Sequence, residues 1–212
     1  MKKTARKVLL MACSALLLVC LTVGATVAYL TAEDKVENTF TVGKVAIRLD
    51  EAKVDSNGKA TNDPRVKKND YHLLPGLTYD KDPMVTVLAN SEKSYVRMFV
   101  TVSKSAELDK IFASSEALLT EIFVGYDAET WIYKGNKENT TENTRTYEFW
   151  YNGVVAKAAT DTALDPIFTQ IKVPDDITNA QLESISGLTI TAVAHAIQAD
   201  GFANPEAAWE EF

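Results

Sequence analysis

Side chains able to do covalent or metal chemistry are few in this chain, and they are poorly grouped. Two histidines occur, His72 and His195, and neither has a second histidine four residues on or the glutamate of a zinc-protease helix. Each therefore reads as a structural or surface residue. No Gly-x-Ser-x-Gly elbow is present, and the two cysteines, Cys13 and Cys20, both fall in an N-terminal segment that export would remove. A thiol nucleophile and a disulfide are excluded together for the exported chain. Carboxylates are plentiful at Asp50-Glu51, Asp80 with Asp82, and Asp175-Asp176, but none has the spacing of a calcium loop. Asp55-Ser56-Asn57-Gly58 lacks the distal glutamate of such a loop and reads as a turn. A carboxylate pair for glycoside hydrolysis depends on separation in space and stays open. Asn139-Thr140-Thr141 matches a glycosylation acceptor, a pattern that recurs by chance in polar loops. Tyr147, Phe149, Trp150 and Tyr151 could stack on sugars, but three of them alternate and read as one core face. No catalytic, cofactor-binding or metal-binding residue is assigned, no cofactor is expected, and the chain reads as a non-enzyme.

Charge narrows the partners. The 212 residues carry 22 Lys and Arg against 29 Asp and Glu, a net charge of −7. Nucleic-acid binding needs a basic face to release counterions, so DNA and RNA are poor partners. Hydrophobic residues make up 46% and charged residues 24%, enough apolar content for a packed core and too much for wholesale disorder.

The start of the chain has a secretory layout. Lys2, Lys3, Arg6 and Lys7 precede an apolar run over residues 8–23, and small residues follow at once. Cleavage is expected after Ala28, with Thr26 and Ala28 ahead of the cut and Tyr29 as the first mature residue. Residues 1–28 then form a signal peptide and 29–212 a secreted domain, whose membrane contact runs only through the uncleaved leader. An uncleaved anchor is the alternative, and Cys13 is a weak match to a lipid-attachment site. Cleavage takes four of the 22 basic residues and none of the 29 acidic ones, leaving 18 against 29 and a net charge of −11.

The elements that would position any site are mostly strands. Period-2 patterns rich in Val, Ile, Thr and aromatics predict strands over residues 39–49, 84–88, 94–103, 131–134, 145–151, 168–173 and 188–198. In the first, Phe40 and Val42 lie in one phase and Val45, Ile47 and Leu49 in the other, which places a bulge at Gly43-Lys44. Asn57-Gly58, Pro75-Gly76 and Asn152-Gly153 predict tight turns, the last as a hairpin between residues 147–151 and 154–155. Residues 105–123 show helical periodicity broken near Ser114-Ser115, and residues 50–70 and 135–144 read as solvated loops. Asn204 and Pro205 predict a short capped C-terminal helix. The result is an all-β fold: a two-sheet antiparallel sandwich, closed by Greek-key or jelly-roll wiring, with short inserted helices.

Gly24-Ala25-Thr26-Val27-Ala28-Tyr29-Leu30-Thr31 and Asn38-Thr39-Phe40-Thr41-Val42-Gly43-Lys44-Val45 resemble the cleavage region and the first mature strand of the TasA/camelysin family of exported proteins, which are processed by a SipW-type signal peptidase. Further similar blocks are Leu74-Pro75-Gly76, Lys81-Asp82-Pro83-Met84-Val85-Thr86-Val87, Ser94-Tyr95-Val96-Arg97, Pro166-Ile167-Phe168-Thr169 with Val173-Pro174, Ala196-Ile197-Gln198-Ala199-Asp200-Gly201-Phe202, and Ala207-Ala208-Trp209. His195 departs from the tyrosine expected there. The resemblance implies a jelly-roll subunit of extracellular biofilm-matrix fibres. Its partners are further copies of itself and, during export, the signal peptidase. The N-terminal strand, carrying Phe40, Val42, Val45, Ile47 and Leu49, would complete the sheet of the next subunit. The alternative is that this strand pairs within its own sheet. Some relatives carry the camelysin label of a casein-cleaving metalloendopeptidase, for which this chain has no zinc motif, and a monomeric surface adhesin is a third possibility.

Overall fold

In a computed structural model of the protein, the described residues are 43–212 apart from 113 and 117, together with Lys7, Met11, Cys13 and Ser14. The chain divides into two compact units, Met1–Val42 and Gly43–Phe212. In the first, Lys7, Met11, Cys13 and Ser14 are helical. The expected cleavage residues Thr26, Ala28 and Tyr29, and the strand residues Phe40 and Val42, lie outside the described residues. Gly43 and Lys44, the site of the expected bulge, are described and precede β1, which starts at Ile47, while residues 39–42, expected as the first part of that strand, are outside the described residues.

In the second unit, alternation of side chains builds the central layer. Strand β4 (Ser94–Ser103) buries Val96, Met98, Val100 and Val102 and leaves Tyr95, Arg97, Phe99 and Thr101 half-buried on the other face. Strand β7 (Thr144–Tyr151) buries Arg145, Tyr147 and Phe149 on the same inner side. With β10 (Ile190–Gln198) and β6 (Trp131–Asn139) they form a four-stranded sheet in the order β10-β4-β7-β6. Two smaller sheets account for the remaining strands. One is β1 (Ile47–Asp50), β3 (Met84–Val87) and β8 (Thr162–Ala163); the other is β2 (Thr78–Asp80), β9 (Gln170–Lys172) and β5 (Phe123–Val124). Every pairing is antiparallel. All three sheets feed one core, in which Val85, Tyr79, Ile171 and Phe123 join the inner face of the large sheet. Phe123 stacks on Phe168 at 4.3 Å. Each large side chain buried there contributes about 1.5–3 kcal/mol through apolar area removed from water. This is the all-β, jelly-roll-like sandwich that the alternation predicts.

Two local expectations are corrected. Residues 135–144 are not a solvated loop: β6 continues through Asn139 and turns back into β7, with a register shift between Tyr133 and Gly135 where Gly135 sits at φ 125°. Its residues are polar because β6 is the outermost strand, and backbone pairing to β7 holds it without an apolar face. Asn152-Gly153 is a turn but not a hairpin. After it, Val155 exchanges backbone hydrogen bonds with Ser94 at the start of β4, rather than returning along β7.

The helical stretch breaks where expected, into α1 (Ser105–Ile111) and a π-helical turn, Leu118–Ile122. The N-terminus of α1 is capped from the β6–β7 turn: Asn143 Oδ1 accepts from the Ala106 amide at 2.9 Å. Helix α2 (Asn179–Ser184) starts with a capping box between Thr178 and Gln181. Helix α3 (Pro205–Glu210) has Asn204 as N-cap and Pro205 in its first turn, as predicted.

Candidate functional site

Among the described residues, six strands end the three sheets, and a groove lies along two of them, β1 and β10. In β1 the Ala46 carbonyl accepts from the Leu88 amide on the β3 side. The alternation of an antiparallel ladder then turns the backbone groups of Ile47 and Leu49 outward. In β10 the Thr189 carbonyl accepts from the Ser103 amide on the β4 side, so the backbone groups of Ile190, Ala192, Ala194 and Ala196 point to the free edge. The groove beside these edges has a volume of about 1010 Å³, with Leu49 of β1, Ile190 and Ala192 of β10, Leu182 of α2 and Ile185 just after it among its lining. The small side chains at 192, 194 and 196 are half-buried against the core, and Ala192 among them lines the groove.

The floor of the groove is ionic and internally satisfied. Lys81 Nζ and Glu51 Oε2 pair at 2.6 Å, with each side chain 10% exposed. Asn69 Nδ2 donates to the other carboxylate oxygen of Glu51 at 3.0 Å, and Lys81 Nζ lies 5.7 Å from the ring centroid of Tyr71. Burial, reinforced by the Glu51 charge, pushes the Tyr71 hydroxyl well above its ordinary range, so it stays protonated and donates to the Asp80 carbonyl. Alongside, Arg65 ties Asp50 at 2.6 Å to Asp82 at 2.7 Å and donates to both their backbone carbonyls. These contacts pin residues 50–70 against β2 and β3, with Glu51 and Val66 also bridged through their backbones. Of the carboxylates named at the sequence level, Asp50 and Asp82 are partners of Arg65, Glu51 of Lys81 and Asp80 of Lys59. Such an arrangement offers shape, apolar surface and unpaired backbone; its charges hold one another.

The expected assembly residues are split by this geometry. Ile47 and Leu49 sit in β1, paired within their own molecule to Val87 and Val85, and Val45 precedes that strand, half-buried. At the exposed side of β1, Lys67 Nζ donates to the Leu49 carbonyl at 2.6 Å. Neither histidine belongs to a cluster: His72 is exposed at the groove mouth, and His195 lies on the far face of the large sheet. Among the described residues, no group of three or more His, Cys, Asp or Glu is arranged to hold a metal ion. Among them, too, no helix is long and apolar enough to cross a membrane. Asp55 accepts from the amides of Asn57 and Lys59, closing the turn expected there, with Gly58 at φ 72° against the Tyr79 ring. Tyr147 and Phe149 are buried in the core, as their alternation implied.

The sequence reading missed Lys81, Lys67 and the alanines of β10. The alternating alanines in Thr191-Ala192-Val193-Ala194-His195-Ala196 were the available signal, since small residues on the inner face of a strand leave a gap. The chain was compared with models of protein families, with characterised proteins and with solved structures, and none matched.

Proposed function

We propose that this chain is an extracellular structural protein, a fibre subunit that polymerises by strand addition once a SipW-type signal peptidase has removed its leader. The segment ahead of β1, residues 29–42, adds to the groove of the next copy. The observation that carries this reading is the pair of outward-facing edges, β1 and β10, on a groove with apolar lining. Backbone bonding to such an edge supplies affinity, and alternate side chains filling pockets supply register. Phe40 and Val42 are suited to that role, being large, β-prone and two residues apart. Ile47 and Leu49 stay in their own sheet and anchor the donated segment to its parent subunit.

Electron microscopy of the processed protein across a concentration series tests the reading. Filaments that grow with concentration and vanish when residues 29–42 are deleted, from a monomer that still folds, support it. A cysteine pair, Val42→Cys with Ala194→Cys, locates the contact, because the chain after residue 28 has no other cysteine. Disulfide-linked ladders are expected. Monomer at every concentration would overturn the proposal.

A further inference from the structure

The outer face of the four-stranded sheet is half covered. Helix α3 and the residues after it lie over Arg97, His195 and Trp150. Beyond that cover, three adjacent strands each contribute two hydroxyls spaced two residues apart: Thr189 and Thr191 at β10, Thr101 and Ser103 on β4, Thr144 and Thr146 on β7. Register brings them into rows. Thr191, Thr101 and Thr146 are directly opposite one another, as are Ser103 and Thr144, and Thr189 joins the second row by donating its amide to Ser103 Oγ at 2.8 Å. Strand geometry spaces the rows about 6.8 Å apart and neighbours within a row about 4.8 Å apart. Threonine is a common strand former, so its frequency alone says nothing. The alignment is more informative, because a groove of about 580 Å³ lies over three of these positions, Thr101, Thr144 and Thr146, and continues past Phe99 to Lys134 and Asn136.

The chemistry of this groove selects its occupant. Thr101 and Thr146 hydroxyls lie 2.8 Å apart, and one hydrogen between them leaves the pair with a further hydrogen to donate and lone pairs to accept. A sugar hydroxyl has the same dual character. Phe99, opposite Val193 in the register, gives an apolar patch for the C–H face of a sugar ring. Lys134 and Lys137 balance Glu142 and Glu148 around the groove, so no net charge recruits an ion. A peptide strand finds no backbone to pair with on β4 or β7, which are bonded on both sides; the open edge is that of β6, at the margin of the groove. We infer that this face binds a neutral polysaccharide chain, with the hydroxyls of Thr101 and Thr146 as its central contacts. The inference does not depend on strand exchange, which uses sheet edges rather than this face.

Native electrophoresis of the purified chain through gels containing dextran, hydroxyethyl cellulose or galactomannan tests it, with alginate as the anionic control. Retardation by at least one neutral polymer, persisting in high salt, is expected. The paired change Thr101→Val and Thr146→Val removes both hydroxyls at nearly constant shape and should reduce that retardation at least tenfold. If the pair lowers the melting temperature, Thr146→Lys, which projects a long side chain into the groove, should have the same effect on binding from a folded protein. Free migration in all three neutral gels, retardation by alginate alone, or retardation that survives both sets of changes would overturn the inference.

Discussion

Arg97 on β4 places its guanidinium carbon 4.3 Å from the ring centroid of Trp209 on α3. The same group lies 5.0 Å from each of the rings of Phe99 and Phe212, so a cation on the middle of the sheet is enclosed by one aromatic of its own strand and two from the C-terminal segment. Trp209 is buried, yet its Nε1 has no hydrogen-bond partner among the described residues. Trp209→Ala should therefore cost about 3 kcal/mol, whereas Trp209→Phe should cost about 1 kcal/mol, since it keeps a ring and removes an unsatisfied donor. Urea denaturation of the two variants checks the order. Equal losses would show that the indole is not held through its ring face.

Lys81 and Glu51 form a pair that neither residue tolerates losing alone. Glu51→Gln or Lys81→Met leaves one buried charge without its partner and should destabilise by roughly 3–5 kcal/mol. The double change Glu51→Leu with Lys81→Met should recover most of that loss, because it removes both desolvation penalties. A double-mutant cycle measured by chemical denaturation would show a coupling well above the about 0–1 kcal/mol of an exposed pair.

His195 supplies a pH dependence with a definite sign. Burial lowers its pKa below the ordinary 6.5, and the facing Arg97 lowers it further, while Glu148 opposes them. The unfolded chain therefore takes up its proton first on acidification. Stability is full above pH about 6.5 and falls as the pH drops below that value toward the depressed pKa. Carboxylates held low, such as Asp109 beside Arg145, lose their contribution only as the pH falls below their ordinary 3.8. Melting temperatures at pH 7.5 and 5 thus isolate the histidine, and His195→Gln should flatten the difference. Phe212, stacked on this ring at 4.6 Å, should be released in the same range.

Assembly should respond to charge. The proposed processing after Ala28 would leave 18 basic against 29 acidic residues, a net charge of −11. Like-charged subunits repel over a Debye length of about 10 Å at 0.1 M salt. Filament yield should rise with salt and on mild acidification; yield unchanged in both, followed by light scattering, would sink the expectation.

How much of this was legible depended on whether a residue had an apolar reason for its place. The alternation of Val96, Met98, Val100 and Val102 announced β4 because one face of that strand had to be buried. Residues 135–139 gave no such signal: an outermost strand held by its backbone can be Gly, Asn, Lys and Glu, and composition then mimics a loop. Asn143 could not be recognised as the cap of α1, since caps are read from adjacent residues and this one arrives from another turn. For the groove, the alternating alanines were visible but their strand's edge position was not, because edges are decided by which strands fail to find a neighbour.

Under the proposed strand addition, the hydrogen bond from Lys67 to the Leu49 carbonyl bears on the timing of growth. A bare acceptor at a sheet margin invites any passing chain, but here a tethered ammonium occupies it in the lone molecule. An incoming amide at that point replaces one donor with another, so this contact adds little driving force and sets an entry condition. In the proposed fibre, a subunit would then stay unassembled until a segment of matching side chains displaces the lysine.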